Sequence, residues 1–198
     1  MEERVQAIVL KTLDYRDHQR IVTLMTEQMG LLSFLIRGLK KENRFALTTP
    51  FSHGEYVLKK GKGELLSFRD GTLFSDHETL RTNYQFLKTA GDMASLLLKT
   101  QLPGKPAPKL FALFLAYLGK VAHFEDTRSL PLSFMLKLMT HDGWISWEDK
   151  SFFPISVTEV EWKLLKTLAL SRSFSQLRGL SPSSDLYERM QCLNVLSE

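Results

Sequence analysis

Apolar and β-branched residues fall in short runs over the first eighty positions. Val5, Ile8, Val9 and Leu10 make a strand-like opening. Ile21 to Met25 and Leu31 to Ile36 follow, separated by Gln28-Met29-Gly30, a spacing that predicts a hairpin. A polar stretch from Arg37 to Thr49 closes at Pro50. Glu55 to Leu58 and Leu65 to Phe68 predict two more strands, joined by Lys59-Lys60-Gly61-Lys62-Gly63. Asp70-Gly71 reads as a tight turn and leaves Thr72-Leu73-Phe74 as a sixth short strand. Five or six short strands in this span predict a small barrel or a sandwich.

The period changes at Ser75-Asp76-His77-Glu78, whose spacing is that of a capping box. Leu80, Tyr84, Leu87, Ala90, Ala94, Leu97 and Leu98 then recur at helical intervals. Pro103 to Pro108 is rich in helix breakers. Leu110, Phe111, Phe114, Leu118 and Val121 give a second helix with a wide apolar face. A third carries Pro131 in its first turn and Phe134, Met135, Leu138 and Met139 beyond it, and Gly143 stops it. Thr158 and Glu161 cap a fourth, and Ser181-Pro182 opens a fifth with Leu186, Met190, Leu193 and Leu196. The class expected is α+β: a five- to six-stranded barrel over residues 1–78, then an all-helical domain over 79–198.

Composition narrows the classes. The chain has 198 residues, 43% of them hydrophobic and 24% charged, which suits a folded globular chain. The opening Met1-Glu2-Glu3-Arg4 lacks the features of a secretory signal, and the longest apolar run, Leu110 to Leu118, is about half of what a membrane helix needs. A reducing, cytoplasmic location is expected. One cysteine, Cys192, excludes an internal disulfide framework and a site of several thiolates, and its helical spacing suggests burial.

The net charge of +4 says little, but its distribution says more. Residues 35–69 hold Arg37, Lys40, Lys41, Arg44, Lys59, Lys60, Lys62 and Arg69 against Glu42, Glu55 and Glu64, a local excess of five. Cations on adjacent loops of a small barrel suit a polyanion, since each neutralised phosphate releases counterions. Tyr15, Phe34, Phe45, Tyr56 and Phe68 lie nearby, and aromatic rings on such a face stack unpaired bases. Lys-rich loops are also ordinary solvated surface, and Phe34, Tyr56 and Phe68, inside strand-like runs, are better placed as core. The helical half offers Lys120, Arg128 and Lys137 as candidate rim cations of an interaction surface.

Catalytic constellations are missing. Gly61-Lys62-Gly63 lacks the upstream glycine and the hydroxyl of a phosphate loop, and five scattered histidines give no metal-ligand spacing. Asp14 and Asp17 read as turn formers, and His141-Asp142 as a helix-end cap. Trp144, Trp147, Phe152 and Phe153 form a cluster that is either core or interface.

The N-terminal residues carry a family resemblance. Ile8-Val9-Leu10-Lys11-Thr12, Asp14-Tyr15, Arg20 to Thr26, Gly30-Leu31-Leu32-Ser33, Arg37-Gly38, Lys40-Lys41, Arg44-Phe45 and Pro50-Phe51 resemble, in order and spacing, the opening of the bacterial recombination mediators of the RecO family. The match covers residues 6–75. The helical remainder is compatible in layout, with its best anchor at His141-Asp142-Gly143-Trp144.

That resemblance implies an OB-fold barrel and a helical C-terminal domain. It also implies a non-enzymatic role in RecF-pathway repair. Such a protein binds single- and double-stranded DNA, anneals complementary strands, engages RecR and the tail of single-strand binding protein, and helps load RecA at the nucleoid. DNA would meet Arg37, Lys40, Lys41, Arg44, Lys59, Lys60 and Lys62, with Arg69 a weaker member. Many members carry a four-cysteine zinc module after the third helix of the helical domain. Here Ser146 to Ser156 has no cysteine, so no metal or cofactor is expected and the chain is short for the family. Two other readings are an adaptor that binds partner tails through the helical half and, as a baseline, a nuclease or deaminase.

Overall fold

The structure, a computed structural model, describes residues 2–16, 18–39, 44–60 and 65–193, with Phe152 described by its backbone alone. Five strands, β1 (Glu2–Arg16), β2 (Gln19–Thr26), β3 (Gly30–Arg37), β4 (His53–Lys59) and β5 (Leu66–Ser75), close a barrel in the order β1-β2-β3-β5-β4. Every pairing is antiparallel except β3 with β5. This is the OB-fold barrel. A one-turn helix, α1 (Arg44–Leu47), stands between β3 and β4.

The barrel closes because β1 is long and bent. Its first half pairs with β4 and its second with β2, and register shifts at Val9/Lys11 and Asp14/Arg16 curve it between the two. Side chains alternate along the strands, so Val5, Ala7, Val9, Val22, Leu24, Phe34, Ile36, Tyr56 and Leu58 fill the interior with Leu47 of α1. The buried Tyr56 hydroxyl donates to the Leu47 carbonyl at 2.9 Å, which anchors α1, and burial pushes its ionisation well above the usual range.

Thr72-Leu73-Phe74 is not a separate strand. Asp70-Gly71 lies inside β5, which runs unbroken from Leu66 to Ser75. Gly71 is there for space: a Cβ would sit 2.9 Å from the Glu55 carbonyl oxygen and 3.2 Å from Leu47 Cδ1. The turn signal was a packing requirement against β4.

Two compact units emerge. One is Met1–Thr79 with Thr100–Leu118, so α3 (Pro108–Leu118) belongs with the barrel strands. The other is Leu80–Lys99 with Gly119–Glu198. A single cut at residue 78 does not reproduce this return of the chain.

His53, at the start of β4, is buried between Phe74 and Phe111, with ring centroids at 5.3 and 6.1 Å. Gln6 Nε2 donates to His53 Nε2 at 2.8 Å, which needs that ring nitrogen unprotonated. Burial first, and then the neighbouring His77, lower the His53 pKa below its ordinary 6.5. The unfolded chain therefore binds a proton that the fold refuses. Stability is full above the unfolded pKa and falls as pH drops below it. We expect a lower melting temperature at about pH 5 than at pH 7.5, and a flatter profile for His53→Gln. Equal pH slopes in thermal melts of the two proteins would rule out this source.

In the second unit α2 (Tyr84–Thr100) starts later than the sequence pattern suggests. Ser75 to Glu78 opens only a 3-10 turn, Glu78–Arg81, and the Asn83 side chain caps α2 through the Gln85 N–H at 2.8 Å. Val121, expected on the second helix, falls in a separate 3-10 turn. The centre of this unit is α4 (Ser129–His141), buried on nearly every side, with Pro131 in its first turn and Gly143 beyond its end at φ +76°. The capping box of α5 (Glu159–Leu170) forms as its spacing demands, Thr158 N–H donating to Glu161 at 2.7 Å and Glu161 N–H to Thr158 at 3.2 Å. Arg189 of α6 (Ser184–Cys192) reaches back to Glu161 and to the Ser156 carbonyl.

Cys192, expected in the core, is exposed, because α6 turns Leu186 and Met190 inward instead. Trp147, Phe153 and Trp162 pack with ring centroids 5.1 to 5.7 Å apart, while Trp144 stands outside the cluster, half exposed. Trp147 Nε1 donates to Thr140 at 2.9 Å, and Lys166 donates to the Trp147 carbonyl at 3.1 Å, so an aromatic cluster fastens α4 to α5. Leu196 lies outside the described residues.

Candidate nucleic-acid interface

The bend in β1 creates the barrel's outward face. After the shift at Val9/Lys11 the strand changes phase, so Lys11 and Leu13 pair with the outward residues Thr23 and Ile21 of β2, and a second shift at Asp14/Arg16 sets Arg16 against the outward Gln19. Register then carries three rows across the sheet. Lys11, Thr23 and Ser33 form one, with the two hydroxyls 3.2 Å apart. Leu13, Ile21, Leu35, Ser67 and Lys59 form the second, crossing all five strands. Arg16, Gln19 and Arg37 form the third, and Arg69 lies two residues beyond Ser67 in the same direction as Arg37 beyond Leu35. The middle row is apolar over β1, β2 and β3, polar at Ser67 and Lys59, and partly open, Leu13 being 56% exposed. Cations therefore flank a mixed apolar and hydroxyl strip.

The expected site residues divide by what they touch. Arg37, Lys59 and Lys60 are exposed and have no acidic partner among the described residues. Arg69 stands 4.0 Å from Glu2, both about half exposed, a pair that solvent screens to little. Arg44 is engaged: it donates to the Arg37 carbonyl, and its guanidinium lies 5.6 Å over the ring of Phe68, which stacks on Phe34 at 5.7 Å. It covers the barrel end. Lys40, Lys41 and Lys62, with Glu42, Glu64 and Asp17, lie outside the described residues. Glu55, one of the acids in the basic window, is neutralised by Arg4 at 2.8 Å.

The charge window missed Lys11 and Arg16, which lie on β1 outside it; Lys11 reaches this face only through the shift at Val9/Lys11, and Arg16 keeps its place on it through the second shift at Asp14/Arg16. The rows of Leu13, Ile21 and Leu35 were equally hidden, since no sequence window brings three strands together.

In the helical unit Lys137 is not a rim cation. It donates to the Ala169 and Ser171 carbonyls at 2.8 and 2.6 Å, closing the C-terminus of α5, and burial lowers its pKa. Arg128 is forked onto Asp126 at 3.1 and 2.8 Å and also donates to Ser181. The nearby arginine holds the Asp126 carboxyl far below the usual range. Lys120 stays exposed. A groove of about 590 Å³ instead lies along α5, lined by Lys163, Lys166, Thr167, Leu170, Ser171 and Gln176. Among the described residues no His, Cys, Asp and Glu cluster could hold a metal, and no helix is long and apolar enough to cross a membrane.

Residues 1–75 match the family described as Recombination protein O N terminal, and residues 81–150 match Recombination protein O C terminal. The chain belongs to the RecO family. The first match ends with β5, the last barrel strand. Relatives named DNA repair protein RecO include those of Chlamydia pneumoniae, 29% identical over 72% of this chain and 57% of the relative, and Bacillus pumilus, 34% identical over 70% and 54%. That of Syntrophomonas wolfei is 29% identical over 71% and 57%. The chain thus matches a little over half the length of these RecO relatives.

Proposed function

We propose that this chain is a non-enzymatic DNA-repair mediator that binds single- and double-stranded DNA on the outward face of its barrel. The supporting observation is the set of cations without acidic partners among the described residues, Arg37, Lys59 and Lys60, beside the open row of Leu13, Ile21 and Leu35. OB-fold barrels commonly bind oligonucleotides on this strand face and its flanking loops. Screening two strands on one surface lowers their repulsion and favours annealing of complementary sequences. By family, the chain would act in the RecF pathway with RecR and help load RecA where single-strand binding protein covers the DNA. Fluorescence anisotropy with an oligonucleotide across a salt series tests the binding. Three phosphate contacts predict a log–log slope of about −2 for a single strand. A flat salt response would remove the reading.

The groove on α5 favours a second, compatible role. Lys163 and Lys166 beside the half-exposed Leu170 suit an acidic peptide that ends in an apolar residue, the character expected of the single-strand binding protein tail. Calorimetry with that peptide tests it, and no heat with the wild type would dismiss the adaptor role. Incubation with labelled DNA and Mg²⁺ tests the nuclease alternative through the appearance of a product.

A further inference from the structure

Two aromatic rings stay in solvent at the β1–β2 end of the barrel. Tyr15 is 50% exposed and Phe45 62%, whereas Phe34 and Tyr56 fill the interior. An exposed ring alone means little. Here each has a guanidinium against one face. Arg16 Cζ lies 5.1 Å from the Tyr15 centroid, and Arg20 Cζ lies 5.4 Å from that of Phe45.

The cation behind Phe45 is fixed. Arg20 is only 14% exposed, and it donates to Asp14 at 2.7 Å and to Thr48 at 3.3 Å. The backbone that carries Phe45 is fixed as well. Thr48 donates to the Arg44 carbonyl at 2.9 Å, Thr49 to the Phe45 carbonyl at 2.9 Å, and Ser52 to that of Ala46 at 2.7 Å. These bonds hold the turn of α1 that presents Phe45 to solvent. Asp14 joins the two rings, being the neighbour of Tyr15 in sequence and the ion-pair partner of Arg20. Its charge is spent on that pair.

We infer that Tyr15 and Phe45 are stacking platforms for unpaired nucleobases, each backed by an arginine. The inference rests on the DNA reading above and adds a selectivity to it. A ring with a cation on one face offers the other to a flat, electron-rich partner, and a nucleobase is one. The phosphates on either side of such a base would meet Arg16 and Arg37, which share a row of the sheet through Gln19. A duplex keeps its base faces stacked internally, so the rings would discriminate for single strands. An apolar protein partner fits less well, because the surroundings are Arg16, Arg37 and Asp14.

The test uses three labelled DNAs: oligo-dT, the same length with abasic sites in place of the central bases, and a duplex. The wild type should bind oligo-dT about fivefold to thirtyfold tighter than the abasic strand at equal phosphate number. Phe45→Leu and Tyr15→Leu should each weaken oligo-dT by about fivefold or more, with the salt slope, the abasic strand and the duplex changed less than twofold. Equal wild-type affinity for oligo-dT and the abasic strand overturns the inference without any variant. So does a loss that is the same on all three DNAs. If the wild type shows no salt-dependent binding to any of them, the DNA reading itself fails with it. Salt-dependent binding that ignores the bases removes only the stacking platforms.

Discussion

Replacing Arg37, Lys59 and Lys60 together by alanine is expected to weaken single-stranded DNA binding about a hundredfold at 0.1 M salt. Each lost phosphate contact removes about 0.7 from the log–log salt slope, so three remove about two, which is two decades at 0.1 M. The difference should close as salt approaches about 1 M, where counterion release no longer drives binding. These three were chosen because nothing acidic among the described residues competes for them. Arg44→Ala makes the contrast. Its guanidinium covers Phe68 and donates to the Arg37 carbonyl, so its loss should appear in thermal stability more than in the slope. Anisotropy titrations at four or more salt concentrations read both effects. A triple variant with the wild-type slope would move the DNA site off this face.

Much of the fold was legible because strand alternation, the Gln28-Met29-Gly30 turn and the Thr158–Glu161 box are local signals. Each is set by neighbours in sequence and needs no distant partner. The failures share the opposite cause. Gly71 looked like a turn residue, yet its lack of a side chain serves the Glu55 carbonyl and Leu47, both remote in sequence. Ser75 to Glu78 had the spacing of a cap, but Asn83 took that role for α2. Cys192 fell on an apolar helical spacing, but α6 turns only Leu186 and Met190 of it inward.

The candidate site was visible only as charge. Arg37, Lys59 and Lys60 stood out from a window count. Lys11 and Leu13 did not, because a bulge at Val9/Lys11 decides which face they reach. Strict alternation from Val5, Ala7 and Val9 would have turned Lys11 and Leu13 inward. Arg20 was likewise hidden. Its role comes from Asp14, Thr48 and Phe45, three residues that only the closed barrel brings together.

The second large effect is on the fold that presents this face. Gly30→Ala should cost about 3 to 4 kcal/mol and lower the melting temperature by about 6 to 15 °C. Gly30 ends the β2–β3 turn at φ +64°, where an alanine is strained by about 1 to 2 kcal/mol. The new Cβ would also lie 2.3 Å from the Lys105 carbonyl oxygen and 2.7 Å from that of Leu102. Both are backbone atoms, so no side-chain rotation relieves the overlap. Neither partner is free to retreat. The turn is held by Thr26, which donates to the Gly30 carbonyl at 2.8 Å and accepts from Met29 N–H at 3.0 Å. The opposing segment is bridged to it through Pro103 and accepts from the Leu31 N–H at 3.4 Å. Gly143→Ala separates the two contributions. It has the same left-handed backbone, φ +76°, with no atom within 4 Å of the new Cβ, so only the strain of about 1 to 2 kcal/mol should appear. Thermal melts of the two variants under one condition decide the matter. If both fall by the same few degrees, the close approach of the 102–105 segment does not hold the hairpin, and the register of β2 and β3 must be fixed by the strands alone.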